Sequence, residues 1–195
     1  MKNKSDSILF NSEKPTSGDG LPTGWFNGDD IKTYKNLYKK LSENSITAEI
    51  GVWQGRSLCS VADIIIKKNI TVYAVDTFLG SPSALDVVND CNGELKKIFI
   101  KNLAKFKLEN SVIIIETDSV QAAKKINSKL DLVFIDGDHN ALCVKNDISA
   151  WMPHVKPEGI LAGHDYQWVK NTVHILFKKM ALKVFSDNNI YWTIK

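Results

Sequence analysis

The chain has 195 residues, 44% of them hydrophobic, and a formal net charge of +3 with both signs spread along its length. That length suits one well-buried domain and is short for two. No apolar run is long enough for a membrane, no basic block marks a nucleic-acid partner, and the polar N-terminus lacks a signal-peptide core, so a cytoplasmic location is expected.

Residues 1 to about 24 are rich in Ser, Asn, Gly, Pro and Lys and read as a flexible segment or lid, with residues 25–195 as one domain. Trp25-Phe26 is expected to pack onto that domain. A helix follows, with Asp29 or Asp30 as its cap and Ile31, Tyr34, Leu37, Tyr38 and Leu41 on one face. Next comes Ala48-Glu49-Ile50-Gly51-Val52-Trp53-Gln54-Gly55-Arg56-Ser57, a strand, a tight turn and a helix start. Gly51 and Gly55 let a ligand approach bare backbone, and the helix start offers N–H groups to it. Cys59, Cys91 and Cys143 are odd in number without C-x-x-C spacing, which implies reduced thiols and no structural zinc.

From here strands and helices alternate. Strands are read at Thr71 to Val75, Val112 to Ile115, Leu130 to Ile135 and Gly159 to Ala162. Helices are read from Leu58 to Ile66, from about Glu94 to Phe106, briefly after Ser119, from Leu142 to Met152, and from Val169 to Met180. Gly80 to Gly93 is long and irregular enough for a lid. Val184-Phe185 and Ile190 to Ile194 flank a Ser-Asp-Asn-Asn turn as a hairpin. The pattern predicts an α/β fold: a Rossmann-like, doubly wound, mostly parallel seven-stranded sheet, an antiparallel C-terminal hairpin strand, and helices on both faces.

Glu49, Asp76, Asp118, Asp136 and Asp165 each follow an apolar run. Strand ends of that kind line one edge of an open parallel sheet, where ligands bind. Asp76, about one βαβ unit after the glycine turn, can accept hydrogen bonds from both ribose hydroxyls of a nucleoside cofactor. Trp53 stands where a dinucleotide motif has its middle glycine, so a pyrophosphate would meet an indole. This disfavours NAD and suits a smaller cofactor without phosphates.

Glu49 to Ser57 resembles the cofactor motif of class I S-adenosylmethionine (SAM)-dependent methyltransferases. Val72 to Asp76 resembles their second motif, and Thr117-Asp118-Ser119 their adenine-side motif. Leu132 to His139 with Gly163-His164-Asp165-Tyr166 resembles the branch of small-molecule and sugar O-methyltransferases, including macrocin-type, catechol-type and cephalosporin hydroxylase-like proteins. The resemblance covers about residues 45 to 195. It implies that Gly51, Gly55 and Ser57 hug the methionine part of SAM, with Glu49 nearby and Trp53 also at the cofactor. It implies further that Asp76 binds the ribose, that Thr77 and Phe78 flank the adenine, and that Asp118 and Ser119 meet it, with Asp136 also at the cofactor.

In the metal-using branch, residues matching Asp136 and His164-Asp165 hold magnesium, with Asp138 as an alternative to Asp136. The family pair is Asp-Asp or Asp-Asn, and imidazole is a poor magnesium ligand. Either a softer ion such as manganese or zinc binds, or His164 serves another purpose, or no metal binds. His139 is the candidate general base, since imidazole titrates near neutrality; a cap or local partner of Asp136 is the alternative. Trp151 falls on the apolar face of its helix, and His154 and His174 read as structural. The leading expectation is O-methylation of a small molecule or sugar. A nicotinamide-dependent oxidoreductase and a catalytically silent SAM-binding protein stay open, as does a homo-oligomer.

Overall fold

The computed structural model describes residues 15–80, 91 and 93–195. The expected lid over Gly80 to Gly93 and the first part of the expected N-terminal segment fall largely outside these residues. Seven strands form one sheet in the order β3-β2-β1-β4-β5-β7-β6. They are β1 (Ile46–Ile50), β2 (Thr71–Asp76), β3 (Val112–Glu116), β4 (Leu130–Ile135), β5 (Val155–Gly163), β6 (Phe185–Asp187) and β7 (Ile190–Ile194). Pairings from β3 through β5 are parallel, whereas β7 runs antiparallel to both β5 and β6. This is the architecture the alternation predicts.

Strand residues alternate between two cores, as the pleat requires. Val72, Ala74, Leu132, Phe134, Ile160 and Ala162 face one core. Helices α1 (Gly28–Lys40), α2 (Arg56–Ser60), α3 (Ala62–Lys67) and α4 (Leu95–Lys105) cover it. Ala48, Ile50, Val75, Val133, Ile135 and Leu161 face the other. It is closed by α5 (Ser119–Lys125), α6 (Ala141–Trp151) and α7 (Tyr166–Lys179). Trp151 lies wholly inside this second core. No helix among the described residues is long and apolar enough to cross a membrane.

Three local details differ from the sequence reading. The cap of α1 is Asn27, not Asp29 or Asp30: its side chain accepts from both of their N–H groups. Asp30 returns a bond to the Asn27 N–H and so closes a capping box. The helix read from Leu58 to Ile66 is divided at Val61, whose backbone leaves helical geometry. Strand β5 begins at Val155, before Gly159, and a register shift lets it pair with β4 at Leu130.

Strand order reverses between β1 and β4, so the loops leaving their C-terminal ends diverge and open a crevice. Phe134 is fully buried beneath it, edge-on to Phe26 at 6.0 Å and Tyr34 at 4.5 Å. We expect Phe134→Ala to cost about 3–5 kcal/mol, read as a fall in the urea midpoint.

Candidate active site at the sheet switch point

The glycine turn leaves β1 with Gly51 at φ +81. A Cβ there would stand 2.2 Å from the Asp136 carbonyl oxygen, so the ends of β1 and β4 meet backbone to backbone. Gly55, at φ +84, begins α2, and its own absent Cβ would strike the Phe99 ring at 2.9 Å. Asp76 fastens this turn to β2. Its Oδ2 accepts from Val52 N at 2.9 Å and Trp53 N at 3.0 Å, and its Oδ1 from Phe78 N at 2.8 Å. A carboxylate has about four lone-pair sites. Three are used, so Asp76 has room for one ribose hydroxyl on Oδ1 rather than the expected two.

Gly51, Trp53, Ser57, Asp76, Thr77, Asp118, Ser119 and Asp136 all face the crevice. Trp53 stacks edge-on with Trp25 at 5.4 Å. Of the expected aromatic pair, Phe26 is buried in the core, while Trp25 stays partly exposed at the crevice. Phe78 does not flank the crevice: it is turned into the core against Phe99, 5.6 Å away. Asp118 accepts from Gln121 N at 3.0 Å as the cap of α5, and Ser119 Oγ accepts from the Trp151 indole at 2.8 Å.

Glu49 lies beneath the turn, fully buried, rather than beside a cofactor. The Tyr34 and Ser57 hydroxyls bond its two oxygens, Ser57 at 2.5 Å. Burial pushes its pKa up to about 8; the Ser57 and Tyr34 bonds pull against that, and Asp136 and Asp76 add to it.

At the other side of the crevice, Asp136, His164 and Asp165 bring their ligand atoms within 4.8 Å of one another. His164 Nδ1 is 3.2 Å from both Asp136 Oδ1 and Asp165 Oδ2, and its Nε2 is 3.2 Å from Asp30 Oδ2. Nε2 is buried and makes no hydrogen bond of good geometry. Burial opposes a charge on His164, but Asp136, Asp165 and Asp30 outweigh it and raise its pKa well above the usual value. Asp165 stands at φ +56, a left-handed conformation that Asp tolerates. It has both oxygens engaged: Oδ1 accepts from Asn189 at 3.2 Å, and Oδ2 faces His139 Nδ1 at 3.1 Å as well as His164. Asp138 is spent on a turn, accepting from Asn140 N at 2.7 Å.

A metal-binding imidazole must present a bare nitrogen. Here each ring nitrogen faces a carboxylate, and Asp165 has no unengaged oxygen. Nδ1, with Asp136 and Asp165 beside it, is the nitrogen that could meet an ion, and one imidazole with two carboxylates would suit a softer divalent ion better than magnesium.

Several residues at the site lay outside the sequence reading. Asp30, on α1, reaches His164 over a distance that no local pattern encodes. Buried Arg56 holds the segment before α1: its guanidinium donates to Phe26 O at 2.6 Å and Pro22 O at 2.9 Å and pairs with Asp19 at 2.5 Å. Asp147 is 6% exposed at the crevice floor, and burial lifts its pKa to about 6, against a bond from Ser119. A signal for Asp147 existed: it falls in step with Val144, Ile148 and Trp151 on the apolar face of α6. His174 bonds Tyr166 at 2.8 Å, and His154 packs against Trp151, away from this chemistry.

The raised pKa of Glu49 carries a pH dependence. Below 4.5 the folded and unfolded chains both hold its proton. Between 4.5 and about 8 only the folded chain does, so stability falls as pH rises, and above that it levels off. Asp147 acts in the same sense between 3.8 and about 6. We expect the melting temperature to drop across pH 4.5 to 8, by an amount worth on the order of a few kcal/mol, with a shallower slope in Glu49→Gln.

Comparison with known proteins accords with this geometry. A search of curated sequences finds no match. Solved structures share the fold at low identity. The O-methyltransferase NovP aligns over 86% of this chain and 79% of its own, at 14% identity and a TM-score of 0.68. A Staphylococcus aureus protein assigned as a caffeoyl-CoA O-methyltransferase aligns over 90% and 86%, at 19% identity and TM-score 0.65. A Streptococcus mutans protein assigned as a methyltransferase, solved with S-adenosylhomocysteine (SAH), aligns over 87% and 98%, at 13% identity and TM-score 0.59. A family profile described as a methyltransferase domain matches residues 48–166, more than half of the chain, from within β1 to the first residue of α7. With the glycine turn, the carboxylate ending β2 and the crevice at the strand reversal all inside that span, the chain belongs to the methyltransferase-domain family.

Proposed function

We propose that the chain transfers the methyl group of SAM to a hydroxyl of a small molecule or sugar. The observation that carries this reading is the His139–Asp165 contact, 3.1 Å, in the crevice that also contains the glycine turn. The glycine turn, which lines the crevice at Gly51 and Trp53, and the open site on Asp76 Oδ1 suit the amino-acid and ribose parts of the cofactor. Asp118 and Ser119 line the side where its adenine would lie. The small cofactor fits Trp53 better than a dinucleotide would, which disfavours the oxidoreductase alternative.

The chemistry is a displacement at carbon. A lone pair of the acceptor oxygen attacks the methyl carbon, the C–S bond breaks, and its electron pair returns to sulfur, leaving neutral SAH. The hydroxyl proton passes to His139 Nε2. Asp165 faces Nδ1, fixes the ring and favours the imidazolium that forms. Asp136 lines the same crevice and is the second carboxylate near the reacting atoms. Placing His139 on this proton is worth roughly 100- to 10,000-fold in rate.

Calorimetric titration tests the cofactor assignment. We expect SAH to bind at micromolar concentration and NADH not to bind. Asp76→Ala should weaken SAH roughly 10- to 100-fold; unchanged affinity would exclude the ribose role. His139→Gln should keep SAH affinity but lose SAM-derived SAH release with hydroxylated acceptors. Equal turnover in that variant would remove the base assignment. An absence of turnover in the unaltered protein, despite SAH binding, would favour the silent binding protein.

A further inference from the structure

Helix α7 begins at Tyr166 without help from its own cap residue. Asp is among the side chains that best cap a helix, accepting from the second or third N–H of the first turn. Asp165 stands at that position, yet its backbone lies in the left-handed region and its side chain makes no cap bond. The first two N–H groups of the helix are taken instead by Asn189, from the turn between β6 and β7. The Tyr166 N–H donates to the Asn189 carbonyl at 3.0 Å, and the Gln167 N–H to Asn189 Oδ1 at 3.2 Å. With Oδ1 so committed, the Asn189 amide nitrogen is turned the other way, and it donates to Asp165 Oδ1 at 3.2 Å. That bond leaves Asp165 Oδ2 on the imidazole side, where His139 Nδ1 is 3.1 Å away. The turn is itself fixed to α1. Asn188 Nδ2 donates to Thr33 Oγ1 at 3.0 Å, and Thr33 Oγ1 donates to Asp187 Oδ2 at 2.7 Å.

We propose that Asn189 is a positioning residue of the methyl-transfer site: it caps α7 in place of Asp165 and holds the released carboxylate toward His139. The role rests on the methyltransferase reading above, in which His139 accepts the proton. Capping alone would not call for asparagine. Aspartate caps as well, and it would offer Gln167 the same oxygen. What it lacks is the NH2 group that meets Asp165. At position 189 it would set a second carboxylate there, and two carboxylates at one site repel. A carboxylate held by one oxygen keeps the other in a fixed place, and the orientation of a catalytic group strongly affects rate. The turn lies beyond residue 166, where the match to the family profile ends, and it joins the site from the C-terminal hairpin.

Two variants separate the cap from the orientation. Asn189→Ala removes the side-chain cap and the bond to Asp165 without adding charge. Asn189→Asp keeps the cap and removes only that bond. Nitrogen-15 spectra of the full-length proteins at neutral pH in EDTA, without SAM or SAH, read both effects. The Gln167 amide should exchange about tenfold faster in Asn189→Ala and at the unaltered rate in Asn189→Asp. The His139 Nδ1 signal should move beyond its linewidth in both. A His139 signal that stays in place in either variant overturns the proposal. With SAM and a hydroxylated acceptor that the unaltered protein methylates, kcat should fall about 10- to 100-fold in Asn189→Asp while KM for SAM is unchanged. Retained kcat in that variant overturns the proposal likewise. The spectra contain no cofactor, so failure of SAH to bind would sink the cofactor assignment while leaving the His139 signal readable.

Discussion

Gly51 and Asp136 touch through their backbones, and the site depends on that approach. The contact has no room for a Cβ. It exists because β1 and β4 are neighbours whose following loops turn opposite ways. The Asp136 N–H bonds the Ile50 carbonyl at 2.7 Å, and the Gly51 N–H bonds Val75 O at 2.8 Å. Three strand ends are thereby locked side by side. On one side of the lock lies the glycine turn with Asp76. On the other lie Asp136, His139, His164 and Asp165. A side chain at position 51 would spread the two halves apart, separating whatever binds at the turn from the groups meant to act on it.

The chain keeps an unusual number of carboxylates out of water here, and it handles them in two ways. Glu49 and Asp147 have raised pKa values because burial disfavours their charge, and both are met by hydroxyls. Asp30, Asp136 and Asp165 are instead met by imidazole rings. Only the second group faces ring nitrogens, and Asp165 of that group meets the proposed base. The division assigns a structural task to the acids beneath the sheet end and a chemical one to the acids at its rim.

The architecture was legible in the sequence because period-two apolar runs and helical stripes alternate from Ile46 to Met180, apart from the irregular stretch between Gly80 and Gly93. The strand-end acids were legible for the same reason, since each closes an apolar run. Legibility failed where position depends on contacts far apart in the chain. Phe78 is two residues past Asp76, but its backbone lies in the left-handed region and carries the ring into the core. Glu49 is the last residue but one of β1, yet the pleat directs it under α1 to Tyr34. Asp30 reads as a local cap, and half of that reading holds; its other partner is 134 positions away (164 minus 30) and leaves no local trace.

Arg56 bears on where this protein can be cut. Its guanidinium is buried, and its partners are Asp19, Pro22 and Phe26, all upstream of the first helix. Asp19 is correspondingly acidic, its pKa held down to about 2 by the bond from Arg56. A fragment trimmed to begin at residue 25 would retain the arginine and discard the carboxylate and one of the two carbonyls that satisfy it. The charge would then remain at the first turn of α2, next to the glycine turn, without its counterion. For expression and for grafting alike, the smallest self-sufficient unit starts no later than Asp19.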